Sequence, residues 1–429
     1  MRKRDFEQAL HSGLGRAVLW LRSGAVPEDR ELILRACLEN WACDLCMDSN
    51  RAPYMAGIVS ATRDPEFYIA PVLKTLAADR DSDNYDQRYD LAAQFAAAGS
   101  AEARDAVFAA FTSLRTASSS LYAEALLDID GLAGYQFVIQ NWVREGLSEN
   151  DDFSEIQLLD EAEERYGADA VAAAIDAVAH SDREIAAYHA SVKARRNAWR
   201  EGRRKRPPRP TPTYDYLNDI LRRPSPSAAD ITVWAHRGRL MGAETATRFA
   251  KEALSETDPA LRSRMLSLFG EYKFPGDPKL LLALAHGGDE AIARASALAL
   301  SALTIPDVRD LGLAIMQNER EPWRGLRLLR RNFQPVDCAA MLHLLERTED
   351  AVDIHTLGIE IGQVFKKHPL PEFAEVLTLL YEKGMCAHRR SSVVDCLIRI
   401  DALPEYIIQE GPYDASNITR GSIRNGMLT

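Results

Sequence analysis

Cysteine is scarce in this chain. Six in 429 residues cannot build a disulfide framework, and these thiols are expected to be reduced. Long apolar runs are also missing: no stretch of 18 uncharged apolar residues occurs, so no segment is expected to cross a bilayer as a helix. The opening Met1-Arg2-Lys3-Arg4 is basic, yet Asp5, Glu7, His11, Arg16 and Arg22 stand where a signal peptide would be apolar. A cytoplasmic protein is the expectation. Positive charge is in deficit, with a net charge of −11, which argues against a global attraction to nucleic acid or anionic membrane and leaves only local patches open. No strand-like alternation, phosphate loop, G-x-G-x-x-G, H-E-x-x-H or nucleophile elbow is present, and the nine histidines lack ligand spacing. The reading is of a chain with no cofactor, no metal and no catalytic residues: non-enzymatic.

What is present is a repeat. Asp258-Pro259-Ala260-Leu261-Arg262 opens one unit, and Asp289-Glu290-Ala291-Ile292-Ala293-Arg294 opens another with its arginine 32 positions on. Prolines recur at Pro275, Pro306, Pro335, Pro369 and Pro404, each positioned to start a helix. Apolar residues fall at i, i+3, i+4 and i+7 in Cys338, Met341, Leu342 and Leu345, in Phe373, Val376, Leu377 and Leu380, and in Val393, Cys396, Leu397 and Ile400. Helices this short cannot bury a stripe alone, so neighbours must supply the other wall. The fold class predicted is all-α, a right-handed α-solenoid of stacked antiparallel helical hairpins.

Through Asp289 to Leu303, and more loosely Asp258 to Phe269, the chain resembles HEAT-repeat proteins of the phycobilisome-lyase type. Through Leu379-Leu380-Tyr381-Glu382 and the stretch from Cys386 to Ala415 it is similar to a group of uncharacterised bacterial HEAT-like repeat proteins. The resemblance implies an armadillo-like superhelix serving as a scaffold in protein–protein interaction; repeat type alone also admits a lyase or chaperone-like role on a chromophorylated protein.

The N-terminal half is helical but less regular, with helices expected over 4–22, 28–47, 65–79, 86–98, 101–114, 119–129, 132–145, 153–166 and 168–202. Arg206-Pro207-Pro208-Arg209-Pro210-Thr211-Pro212 reads as an extended spacer, Arg204 to Pro210 also spells a short Arg-x-x-Pro-x-x-Pro ligand pattern for SH3-type grooves, and Pro224 and Pro226 mark a second break. Three regions follow: an irregular HEAT-like region over 1–204, a Pro/Arg-rich linker over 205–228 and a HEAT-repeat array over 229–429.

The most unusual local chemistry precedes that linker. Residues 193–209 carry nine Lys or Arg against one acid, Glu201, and helical spacing stacks Arg196, Arg200 and Arg204 in one row with Arg195, Trp199 and Arg203 in the next. Like charges so spaced repel on an isolated helix. Something anionic is expected opposite them: the chain's own 145–164 segment, with nine acids and no base, an acidic protein partner, or nucleic acid gripped through phosphates and a stacked Trp199.

Cys43-Asp44-Leu45-Cys46 has metal or redox spacing but supplies half a tetrahedral site, with Cys386, His388 and Cys396 as the only conceivable completion. Leu34, Leu38, Trp41 and Leu45 are the expected buried stripe of that helix. Asn40-Trp41 and Asp44 are similar to a motif of HEAT-like alkylpurine DNA glycosylases, although the acid here follows Trp41 by three positions instead of that family's four. The reading adopted is a scaffold or adaptor binding a protein partner on its concave face; the alternative is a HEAT-like nucleic-acid-binding protein, possibly glycosylase-like. Partner identity and oligomeric state are not encoded in any motif.

Overall fold

A computed structural model describes residues 3–25, 30–42, 51–78, 82–113, 120–146, 152–180, 182–204, 211–223, 230–317 and 321–426. Among these residues there are helices and turns and no strand. The chain divides into two compact units, one of residues 1–207 with 409–423 and the other of 208–408 with 424–429.

In the first unit, the helices Arg16–Arg22, Ala52–Ser60, Ser82–Ala97, Ser120–Asp130, Asp152–Tyr166 and Arg183–Arg204 pack in series, each against the next of that set. Alternating with them in sequence are Lys3–Ser12, Arg30–Leu38, Glu66–Ala78 and Ala101–Ser113, which also pack in series, as do Leu132–Glu145 and Ala168–Ala179. Every second helix therefore touches its predecessor but one. The second unit repeats the pattern with Asp230–Gly238, Pro259–Ser267, Glu290–Leu300, Trp323–Leu329, Ala351–Lys367 and Ala387–Arg399 in one row. Pro306–Gln317, Asp337–Arg347 and Ala374–Lys383 form the other.

Local chemistry sets the boundaries. Asp258, Asp277, Asp289 and Asp350 each occupy an N-cap and accept a backbone N–H of the first turn, at 2.9–3.0 Å, an interaction that contributes about 1 kcal/mol per cap. Pro306 is the first residue of its helix, whereas Pro275, Pro335, Pro369 and Pro404 lie just ahead of theirs, in the turns. The two repeat arginines do different work: Arg262 donates to the carbonyls of Ala253 and Leu254, while Arg294 pairs with Glu290 and Glu321. In the second unit Met265, Leu266, Phe269, Leu281 and Leu300 are fully buried, each worth about 1.5–3 kcal/mol relative to exposure.

Several expected boundaries move. The helix expected over 4–22 is two, separated at Gly13, whose φ of +70° suits glycine. The helix expected over 168–202 is also two, because Asp182 accepts the Glu184 N–H at 2.9 Å and starts a new one. Ala52–Ser60, with Pro53 in its first turn, lies where no helix was expected. Leu32, Ile33, Ala36 and Cys37 form the buried stripe of Arg30–Leu38, not Leu34, Leu38 and Trp41; the helix ends before Trp41, which is half-exposed and stacks on His11 at 4.0 Å. In Asp337–Arg347 the stripe is Cys338, Met341, Leu344 and Leu345, with Leu342 half-exposed. Phe373, Val376, Leu377 and Leu380 are all buried.

The region expected as a linker over 205–228 contains the helix Tyr214–Arg222, started by Thr213, with Leu217 and Leu221 wholly buried in the second unit's core. Residues 205–210 and 224–229 lie outside the described residues, as do Cys43, Asp44, Leu45 and Cys46. The segment 409–423, counted with the C-terminal array in the sequence, packs within the first unit.

Candidate functional site

The arginine row sits on Arg183–Arg204, and the helix opposite it is Asp152–Tyr166, the acid-rich segment. Arg195 pairs with Glu155, which also accepts a hydrogen bond from the Tyr188 hydroxyl. Arg196, with only 9% of its side chain exposed, bridges Glu163 at 2.5 Å and Asp160 at 3.1 Å. Arg200 shares Asp160 at 2.8 Å. Trp199 is 39% exposed. The helix backbone runs on to Arg204, and the side chains of Arg203 and Arg204 lie outside the described residues. Of the six residues singled out from the sequence, the structure thus brings three onto the chain's own carboxylates. The acids were visible in the sequence as a charge run; which of them would face the arginines was not, since the pairs are 33 to 40 positions apart.

The polar contacts continue across two further helices of the same row. Gln157 donates to Glu124 at 2.9 Å, Arg165 pairs with Asp128 and, at 2.6 Å, with Glu161, and the Tyr122 hydroxyl donates to Asp86. A ribbon of side-chain hydrogen bonds therefore crosses Ser82–Ala97, Ser120–Asp130, Asp152–Tyr166 and Arg183–Arg204. One end is rich in arginine and the other in carboxylate. At the acidic end, burial first and then the neighbouring Glu161 and Asp128 push the Glu124 carboxyl above its ordinary range, against a Gln157 hydrogen bond that lowers it. At the basic end burial works against the Arg196 charge, but Glu163 and Asp160 outweigh it and hold the guanidinium above its usual value. Burial and the bond to Glu155 likewise raise the Tyr188 hydroxyl.

His189, on the same helix, is 7% exposed, packs edge-on to Tyr135 and has a buried Nε2 with no hydrogen-bond partner among the described residues. Burial, then Lys193 and Arg196, push its pKa below 6.5, opposed by Glu163 and Asp176. The unfolded chain consequently binds this proton more readily than the folded one. The stability His189 contributes is full above about pH 6.5 and drains as the pH falls towards the lower folded value. The urea midpoint of the protein should fall between about pH 7 and pH 5, and His189→Phe, which keeps a ring against Tyr135, should flatten that fall. An identical pH profile for both proteins would show that His189 titrates alike in the folded and unfolded chain.

No group of three or more His, Cys, Asp or Glu residues able to hold a metal occurs among the described residues, and none of the described helices is long and apolar enough to cross a membrane. Cys37 and Cys338 are buried, and burial pushes each thiol up to about 12. Comparison of the chain with family models, curated proteins and solved structures finds no match in any of the three.

Proposed function

We propose that the chain is a non-enzymatic helical-repeat scaffold, a right-handed α-solenoid of the HEAT kind, that binds a protein partner along the concave face of its helix rows. The observation that carries this reading is the packing of every second helix on its predecessor but one in both units, which lays side chains from successive helices side by side over a broad surface. The charged ribbon supports it: four consecutive helices contribute polar side chains to one continuous band. Because Arg195, Arg196 and Arg200 are engaged by Glu155, Asp160 and Glu163, and Arg165 by Asp128 and Glu161, the carboxylates of the ribbon that meet uncharged donors lie at the acidic end, Asp86 with Tyr122 and Glu124 with Gln157. A partner presenting Lys or Arg suits that end. The same pairing weighs against the nucleic-acid alternative, since phosphates would have to displace carboxylates already in contact.

Purification from the native host at about 50 mM salt should bring down a basic protein, released as salt screens the contact, with an absorbance ratio free of nucleic acid. Glu124→Lys should lose that partner while the helical circular dichroism spectrum is kept; Glu124→Gln, which preserves shape, should weaken it. Co-purification of nucleic acid instead, or a partner indifferent to both substitutions, would defeat the proposal.

A further inference from the structure

The second unit contains a cavity of about 90 Å³ that the ribbon and its partner reading do not involve. It lies between Ala351–Lys367 and Ala387–Arg399, neighbours in one row, with Leu377 and Leu380 as its floor. One wall is the glycine face of the first helix. A Cβ placed on Gly362 would meet nothing within 4 Å, and one on Gly358 would meet only Leu380 at 3.6 Å, so the space over these backbones is open, not filled by a neighbour. Val393 and Cys396 form the facing wall; burial pushes the Cys396 thiol up to about 11, so it is an uncharged, weakly polar surface.

The polar lining has one sign. The charged lining residues are Lys366, Arg389 and Arg390, His355 and Gln363 add polar groups, and no carboxylate is among the lining residues, in a chain whose net charge is −11. The Nε of Arg389 is buried and has no hydrogen-bond partner among the described residues. A buried guanidinium donor without an acceptor is a costly arrangement, of a kind that a ligand resolves. Elsewhere in the unit Arg309 is paired with Asp337, and Arg327 and Arg330 with Glu360.

We propose that this cavity binds a small aliphatic carboxylate, its tail lying along the Gly358–Gly362 face against Val393 and its head group on Arg389, with Lys366 adding positive potential. A carboxylate matches the planar fork of an arginine where a single point charge would not. The space is partly open to solvent, so a tail lying along the glycine face need not be wholly enclosed.

Hexanoate is the probe, titrated into the full-length protein by calorimetry. A Kd on the order of 0.1–1 mM is expected for a ligand of this size, with 1-hexanol and hexylamine at least tenfold weaker. Arg389→Met, which keeps the apolar stem, should weaken hexanoate at least tenfold and leave 1-hexanol unchanged. Gly362→Leu should fill the slot and abolish binding of both, with an unaltered circular dichroism spectrum; if that variant misfolds, Gly362→Ala, favoured by helix propensity, should reduce binding instead. No hexanoate binding to the wild-type protein, equal affinity for hexylamine, or binding that survives both Arg389→Met and Gly362→Leu would overturn the assignment.

Discussion

Replacing Arg196 with Met should lower the thermal midpoint of the protein by roughly 6–12 °C, the largest effect expected of any single change in the arginine row. The reason is geometric. Arg196 is almost wholly covered, and of its two carboxylates Glu163 is only 17% exposed. Removing the guanidinium leaves Glu163 charged and poorly hydrated, an arrangement that costs about 3 kcal/mol in partly buried pairs, and in a unit of about 200 residues each kcal/mol moves the midpoint by roughly 2–4 °C. Arg200→Met is the matched control. Its side chain is 51% exposed and its contact with Asp160 is solvated, so a loss below about 1 kcal/mol is expected. Arg196→Met combined with Glu163→Gln should recover more than half of the loss, because no buried charge then remains unpaired. A double mutant as unstable as Arg196→Met alone would mean that the lost stability was packing of the arginine stem, not the ion pair. Unchanged stability in Arg196→Met, together with loss of a co-purifying anionic partner, would mean that the arginine row faces outward in solution.

How much of this was legible in the sequence depends on the range of the interaction. Caps are local, and Asp258 and Asp289 marked their helices because an N-cap carboxylate and the N–H it accepts lie within three residues. Leu132–Glu145 ends where it was expected to, at Gly146 in the left-handed region. The Asp182 cap carries the same signal, but the residues on both sides, Ala168–Ala179 and Arg183–Arg204, contain no proline or glycine before Gly202 and read as one helix. Tyr214–Arg222 was hidden between two proline-rich breaks, although Leu217 and Leu221 have helical spacing. For the ribbon, residue types were legible and pairings were not: nothing local says that Arg196 meets Glu163 or that Glu155 joins Tyr188 to Arg195. The cavity left only a faint trace, Gly358 and Gly362 one helical turn apart, which by itself means no more than a smooth helix face. Longest in range is the return of residues 409–423 to the first unit, where Arg16 and Glu410 are 394 positions apart.

That return rests on one glycine, and Gly15→Ala should undo it. The backbone of Gly15 is ordinary right-handed helix, with φ −61° and ψ −21°, so alanine is not strained there by its own conformation. Its surroundings forbid it. A Cβ would lie 1.9 Å from the carbonyl oxygen of Glu410 and 2.8 Å from the carbonyl carbon, and neither atom can rotate away as a side-chain end could. The segment would have to back off by more than an ångström. The Ala415 N–H, which donates to the Gly13 carbonyl at 2.9 Å, would lose its acceptor. The fork from Arg16 to both Glu410 oxygens, each at 2.6 Å, would open around a carboxylate that is 2% exposed. Arg22 would leave the Tyr413 ring, 4.6 Å from its centroid. Together these losses amount to about 3 kcal/mol of local stability, so amide hydrogen exchange in residues 411–423 should quicken by roughly 100-fold while the helices of the second unit keep their protection. Glu410→Gln, which keeps the shape and removes the charge, should quicken the same amides by about tenfold. Exchange in 411–423 that is as slow in Gly15→Ala as in the wild-type protein would show that this segment is not held against Gly15 in solution.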